Sequence, residues 1–375
     1  MKSAEELSKD IYSYSMHNVL SVPKLSRTEK LVIVSPKLAT QSDVARMAGT
    51  STAVVSYVVN GGPRPVAAKT RERVLAAIEK TGYRPNNVAR TLLTGKSSTL
   101  GMVIPDLTNP FLSHMVQCIE DKFFELGYSL IIADSHDDLS REKRIIETMI
   151  SQQVAGLIWY SVDQPSPVEL VKDMVQPVAF MNACYPVKAL DAAGKRISVL
   201  EDECRAAAEL TSELVKRGCS AIGHLGGPKG RVNSAERSRG WLQALGDDGH
   251  RNPESHPLYL SAPYTHEGGQ EAAEQFLRLG CDGIVASNEM QAVGLMSRIA
   301  ALGLSIPEDI SVVAMHGTPH APFYIPALSA MHIDIQNLVN KLHISLLESD
   351  SPEVIVPSLY FVERGSCSSA DICKR

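Results

Sequence analysis

The sequence predicts two unlike parts: a small N-terminal all-α helix-turn-helix headpiece and, after it, a larger two-lobed α/β body. Three observations predict this. First, charge is uneven: residues 39–96 carry nine Lys/Arg against three Asp/Glu, whereas residues 97–375 carry 22 against 35. Second, the basic stretch holds two short helical patterns joined by a glycine turn. Third, the acidic stretch alternates buried-strand runs with helical ones, the signature of parallel sheets wrapped in helices. Hydrophobic residues make up 44% of the 375 and charged residues 21%, an ordinary globular composition. The longest apolar runs, such as Ala155 to Tyr160, fall far short of the roughly 18 residues of a spanning helix, so no membrane partner is expected.

Residues 1–38 read as a flexible extension of unassigned role. Their longest apolar run, Leu31 to Val34, is shorter than the roughly 7–15 residues of a secretory core, and Met16 offers a later start. The seven cysteines are odd in number and contain no Cys-x-x-Cys pair, which argues against a disulfide framework or a cysteine zinc site and fits a reducing cytoplasm.

The headpiece is placed at 39–84. Ser42 is the candidate cap of a first helix over 42–48, with Val44, Ala45, Met47 and Ala48 apolar and Gly49 ending it. Ser51 caps a second helix, whose Val54, Val55 and Val58 recur at helical spacing until Asn60-Gly61-Gly62-Pro63 stops it. A third helix follows from Ala67 to Lys80, with Val74, Leu75 and Ile78 closing a small core. With 54, 55 and 58 inward, Thr52, Ala53, Ser56 and Tyr57 share the outer face of the second helix. Short side chains and hydroxyls of this kind suit a major groove, where they touch thymine methyls and base edges. The plain alternative is a three-helix bundle with a solvated face.

Pro85 then opens a short segment that reaches Thr94-Gly95, about two turns, too short to be stable alone. The series Ser42-Asp43-Val44-Ala45, Ala48-Gly49-x-Ser51, Val55-Ser56, Asn60-Gly61, Lys69-Thr70-Arg71-Glu72-Arg73-Val74 and Gly82-Tyr83-Arg84-Pro85-Asn86 resembles the lactose-repressor (LacI) family of bacterial transcription regulators. The resemblance implies a homodimer whose two headpieces read double-stranded DNA with a near-palindromic operator. It implies DNA contacts from Ser51, Thr52, Ala53, Ser56, Tyr57, Asn60, Asn86, Arg90 and Leu92, and a hinge helix and linker over 85–98. Leu92 matches the family's leucine that wedges into the central base step from the minor groove; packing against the partner's hinge is the alternative. Val54 and Tyr57 stand where the family often has Thr and Arg. Tyr cannot fork onto guanine as Arg does, so the operator of better-known relatives does not transfer.

The body, 99–366, resembles the family's periplasmic-binding-protein-like effector domain. It is read as strand and helix runs in two lobes separated near 197–205, with a tail over 367–375. Anchors are Gly226-Gly227-Pro228, Ser287-Asn288-Glu289, Ile306-Pro307-Glu308-Asp309 and Val362-Glu363-Arg364. In that architecture a small-molecule effector lies between lobes at the strands' carboxyl ends. The matching positions are Asn109, Phe111, Asp134, Asn182, Arg237, Tyr264, Asn288, Glu289 and His316, with Tyr264 or Trp241 as a flat platform. Alternatives stay open: Trp241 as core, Asp134 as a helix cap. Asn182-Ala183, Glu289 and His316 depart from the common sugar-responsive pattern. Sugar-like, nucleobase-like and ligand-free readings therefore all stand.

Other chemistry is set aside. Gly95-Lys96-Ser97 lacks the first glycine of a phosphate loop, since position 90 is Arg90. There is no Gly-x-Ser-x-Gly or His-Glu-x-x-His, and Gly317 and Pro319 break any helical pairing of His316 with His320. The expectation is a DNA-binding regulator, most simply a repressor, with no catalytic residues, cofactor or metal. The rival is a solute- or carbohydrate-binding protein using only the two-lobed core, which leaves 39–96 unexplained.

Overall fold

The computed structural model describes residues 39–62, 64–85, 95, 97–161, 168–183, 193–246, 252–348 and 353–367. The extension 1–38, the hinge positions Asn86, Arg90 and Leu92, and tail residues 368–375 lie outside them. The chain divides into two compact units at residues 86–87.

In the first unit, helix α1 (Gln41–Ala48) is capped by Thr40, not Ser42. The Thr40 hydroxyl accepts from the Asp43 amide at 3.3 Å, while the Asp43 carboxylate accepts from the Thr40 amide at 3.0 Å. That reciprocal box satisfies two donors where a Ser42 cap would satisfy one. Ser51 does cap α2 (Thr52–Asn60), accepting from Val54 N at 3.3 Å. With α3 (Ala68–Thr81), these helices close a core of Val44, Ala45, Ala48, Val55, Val58, Val74 and Ala77. Val54 is only half-buried, and Leu75 is 51% exposed rather than inside. The phase of α3 points Val74, Ala77 and Ile78 inward, and Leu75 sits about 100° around from Val74.

The second unit holds two six-stranded sheets. The first sheet orders β1 (Thr99–Ile104), β2 (Ser129–Asp134), β3 (Leu157–Tyr160), β4 (Val178–Ala183), β5 (Arg196–Leu200) and β11 (Glu353–Ile355) as β11-β5-β4-β3-β1-β2. All its pairings are parallel. Helices α4 (Pro110–Glu125) and α5 (Leu139–Ser151) connect its first strands. The second sheet contains β6 (Ile222–Gly226), β7 (Tyr259–Ser261), β8 (Gly283–Ala286), β9 (Ser311–Ala314), β10 (Ser329–Ile333) and β12 (Leu359–Val362), ordered β12-β10-β9-β8-β6-β7. Its helices are α6 (Glu203–Lys216), α7 (Val232–Leu245), α8 (His266–Arg278) and α9 (Glu289–Ala301). Here β12 runs antiparallel to β10.

The two lobes are not two consecutive runs. The chain passes from β5 into α6 at 200–203, then returns. Helix α10 (Ile335–Leu347) and β11 belong to the first lobe, and β12 crosses back to the second. Ile335, Leu338, Val339, Leu342 and Leu346 of α10 share one core with Leu100, Ile104, Met115 and Ile119. No helix of the described residues is long and apolar enough to cross a membrane.

Candidate functional site

On the headpiece, Ser51, Thr52, Ala53 and Asn60 are exposed, and Ser56 and Tyr57 are half-buried on the same side of α2. A Cβ added at Gly62 would fall 2.0 Å from Tyr57 Cδ1. The Tyr57 ring therefore lies in the space that only a glycine leaves there, and its direction along the helix surface is fixed from below. Asn60 Nδ2 donates to Ser56 Oγ at 3.2 Å, which orders the end of this face.

In the second unit a cleft of about 360 Å³ opens at the carboxyl ends of both sheets. The sheets place its walls: loops after β1, β2, β3 and β4 on one side, and loops after β6, β7, β8 and β9 on the other. Among the expected residues, Asn109, Phe111, Asn182, Arg237, Tyr264, Asn288, Glu289 and His316 line it. Asp134 does not. Its carboxylate accepts from Leu107 N at 3.1 Å and His136 N at 2.7 Å, tying two loops together, and the cap of α5 is Asp138. Trp241 is core: it is fully buried and donates Nε1–H to Ile222 O at 3.2 Å. Tyr264 alone of the two candidate platforms faces the cleft, and Gly227 admits it, since a Cβ there would lie 2.1 Å from the ring.

The deep wall is an ionic cluster. Arg237, 3% exposed, donates to both oxygens of Glu203, at 2.7 Å from Nε and 2.6 Å from Nη2. Its Nη1 donates to Ser287 O at 2.6 Å, and Nη2 reaches His316 Nδ1 at 3.4 Å. Burial opposes both charges, but each outweighs that penalty for the other. Glu203 holds the guanidinium further toward its charged form, and Arg237, with His316, holds the Glu203 carboxyl below its usual range. Burial, with Glu201 nearby, pushes the Tyr160 phenol well up.

The other expected polar side chains are largely committed. Asn288 caps α9 through Oδ1 and donates Nδ2–H to Tyr264 O at 3.2 Å. Glu289 accepts from the Thr318 amide, the Thr318 hydroxyl and the Tyr324 hydroxyl at 2.6, 2.7 and 2.8 Å. Asn109 Oδ1 caps α4. Contacts between described residues bridge the lobes. Phe111 stacks on His316 with ring centroids 4.3 Å apart at 16°, and Arg231 pairs with Asp137 across the cleft. Among the described residues, four of the five non-glycine residues with positive φ (His136, Asp137, Asn182 and His316) line the cleft, so backbone strain concentrates there.

Glu201, Glu203 and His316 also bring possible metal-ligand atoms within 4.8 Å of one another. The hydrogen bonds argue against a metal. Arg237 Nη2, which can only donate, lies 3.4 Å from His316 Nδ1, and the same guanidinium already fills both oxygens of Glu203. A metal ion here would sit against that buried cation.

Residues 40–86 match the family described as "Bacterial regulatory proteins, lacI family", and residues 97–323 match "Periplasmic binding proteins and sugar binding domain of LacI family". The chain belongs to the LacI family. Catabolite control protein A of Staphylococcus xylosus is 31% identical over 84% of this chain and 95% of its own. The ribose operon repressor of Halalkalibacterium halodurans is 28% identical over 80% and 87%. Among solved structures, the lac repressor dimer bound to operator and the anti-inducer ONPF is 27% identical, with a TM-score of 0.73, covering 89% of this chain and all of that one. This LacI-family chain is a DNA-binding transcription regulator with an effector domain, and it is not an enzyme.

Sequence reasoning missed Glu201, Glu203, Tyr160, Asp137, Arg231 and Asn233. Only the third strand's end at Tyr160 and the junction at 200–203 carried a signal: both follow strands in a fold whose ligands sit at strand ends. The pairings of Arg237 with Glu203 and Asp137 with Arg231 span 34 and 94 residues and have no local pattern.

Proposed function

We propose that this chain is a homodimeric repressor whose two headpieces read the halves of a near-palindromic operator, with affinity set by a polar small molecule, sugar-like or nucleobase-like, held between the lobes. The observation that supports it most is α2: a recognition helix with Ser51, Thr52, Ala53 and Asn60 exposed and Tyr57 held by Gly62, in a basic segment on an acidic chain. Lys and Arg of 39–96 supply salt-dependent phosphate attraction, and Thr52, Ala53, Ser56 and Tyr57 read bases. Asn86, Arg90 and Leu92 complete the contact, with Leu92 as the minor-groove wedge and two hinges ordering together on DNA.

The effector acts by its differential affinity for two lobe arrangements. Arg237, Tyr264, Asn182 and Phe111 are the contacts that favour one arrangement; His316 joins them through its stack on Phe111. Asn109 contributes its amide nitrogen, while Asn288 and Glu289 shape the wall that these residues occupy. The headpiece lies at 39–84, the hinge and linker at 85–98, and the effector domain at 99–366.

Selection of random double-stranded DNA by the full chain at fixed, near-physiological salt tests this reading. The expected result is an enriched near-palindrome with a kinkable central step. Salt-sensitive binding with no enriched motif, with or without added small molecules, would refute sequence-specific reading.

A further inference from the structure

A guanidinium recognises a phosphate or a carboxylate by presenting two parallel N–H groups as a fork. Arg237 lines the cleft, but its fork is already filled. Nε and Nη2 donate to the two oxygens of Glu203, Nη1 donates to Ser287 O, and the second N–H of Nη2 reaches His316 Nδ1. Of the five donors an arginine carries, one N–H of Nη1 is left, which suits a single neutral acceptor.

The occupant of the fork is built into the lobe. Asp202 caps α6, so Glu203 is the first residue of that helix, where the helix N-terminus favours a carboxylate. Helices α6 and α7 approach closely beside it: a Cβ added at Gly240 would fall 1.9 Å from Cys204 O. Glu203 and Arg237 thus face each other from two tightly packed helices, and only 1% of the Glu203 side chain is exposed. An anion entering the cleft would have to displace that buried carboxylate.

The rest of the wall leans acidic. Arg231, the other lining arginine among the described residues, pairs with Asp137. Two further lining carboxylates take hydrogen bonds from neutral donors, which leave their charge in place: Asp106 accepts from Thr108, and Glu289 from Thr318 and Tyr324. The unsatisfied groups that line the cleft are themselves neutral. Among the described residues, Tyr160 Oη and Asn182 Oδ1 are buried without a hydrogen-bond partner, a need that a ligand hydroxyl or amide meets without any charge.

We propose that Glu203 sets the charge selection of the cleft: by filling the fork of Arg237 it makes the site refuse phosphate- and carboxylate-bearing molecules. Glu203 is a positioning residue, since it acts on the ligand through Arg237. This rests on reading the cleft as the effector site, and it narrows the effector to sugar-like or nucleobase-like molecules that carry no anionic group.

The test is calorimetric titration of the full chain with inorganic phosphate at fixed ionic strength. The unaltered chain is compared with Glu203→Gln and with Glu203→Gln/Arg237→Met; the basic headpiece is common to all three. Glu203→Gln keeps the size of the side chain and removes its charge, which opens the fork. It should gain a phosphate site about tenfold or more tighter than any the unaltered chain shows, the scale of one hydrogen bond to a charged group. Adding Arg237→Met should abolish the gain. A second measurement needs no variant: the unaltered chain should bind glucose 6-phosphate no more tightly than inorganic phosphate. No gain in Glu203→Gln, a gain that survives Arg237→Met, or tighter binding of glucose 6-phosphate by the unaltered chain overturns the proposal. A phosphate gain that leaves operator affinity unchanged supports the masking of Arg237 and removes only the effector reading.

Discussion

Arg237 shows how a residue's role depends on its neighbour. As an isolated side chain in a cleft it would be a ready partner for an anion. Bound by both oxygens of Glu203 and 3% exposed, it is first a structural cation. Arg237→Met is therefore expected to destabilise the chain by about 3–5 kcal/mol, because it strands a buried carboxylate. The double variant Arg237→Met/Glu203→Leu should cost less than the single one. Urea unfolding of the three proteins checks this, and an unchanged midpoint for the single variant would remove the buried-pair account. His224 gives a second prediction at this scale. Burial holds it down to about 4, and its ring contacts Val285 O at 2.9 Å and Ser238 Oγ at 3.2 Å. Unfolded, it returns to about 6.5. Between those values the unfolded chain binds more protons, so stability present above pH 6.5 is lost as pH falls toward 4, on the order of 3 kcal/mol. His332, also lowered to about 4, chiefly by burial with help from Arg364, acts in the same window and direction. Urea midpoints at pH 7, 5.5 and 4.5 should fall in that order, and His224→Gln should flatten the trend. Equal slopes for the two proteins would exclude His224 as a source. The position of Arg237 was legible in the sequence, in the run Glu236-Arg237-Ser238-Arg239-Gly240. Its committed state was not, because Glu203 reaches it only through the packing of α6 on α7.

At the scale of elements, caps and turns carried most of what the sequence offered. Ser51, Gly49 and the Asn60-Gly61 stop delimit α2 from local chemistry alone. Strand β5 was not legible as a strand because it opens on Arg196, a charge that reads as surface. In the fold that guanidinium is buried and donates to Gln176 O, Lys195 O, Met174 O and Val171 O, so backbone carbonyls stand in for water. Strands β10 to β12 are three to five residues long, and His332 interrupts the apolar pattern of β10. Gly62 yields the prediction at this scale. Gly62→Ala has no room beside the Tyr57 ring and must turn it away. The helix itself should persist, since its cap and the Val55 and Val58 contacts are untouched. Operator selection with this variant should lose preference mainly at the base pair Tyr57 meets, with far-ultraviolet circular dichroism unchanged. Identical selected sequences would show that Tyr57 does not read that position.

At the scale of the molecule, three chain crossings join the lobes: at 200–203, at Asp334 between β10 and α10, and between β11 and β12. The Phe111–His316 stack and the Arg231–Asp137 pair join the two walls of the cleft beyond these crossings. The sequence conveyed two lobes but placed each in one stretch. Sequence order says nothing of a late segment that returns to an early sheet. A chain ending after Ile333 should therefore lose the first lobe, though the missing residues lie farthest from it in sequence. Loss of the cooperative unfolding transition would show this, and an intact transition would contradict the shared core.

The returning segment also sets a schedule for biogenesis. A ribosome makes β1 to β5 early, but their apolar face has no α10 to cover it until almost the whole chain has emerged. The second lobe waits as well, since its edge strand β12 follows α10 and β11 in the chain. For the interval of roughly 130 residues of synthesis, at about 5–20 residues per second, the first sheet is an exposed client of whatever holds nascent chains, and every premature stop before the last helix leaves it so for good.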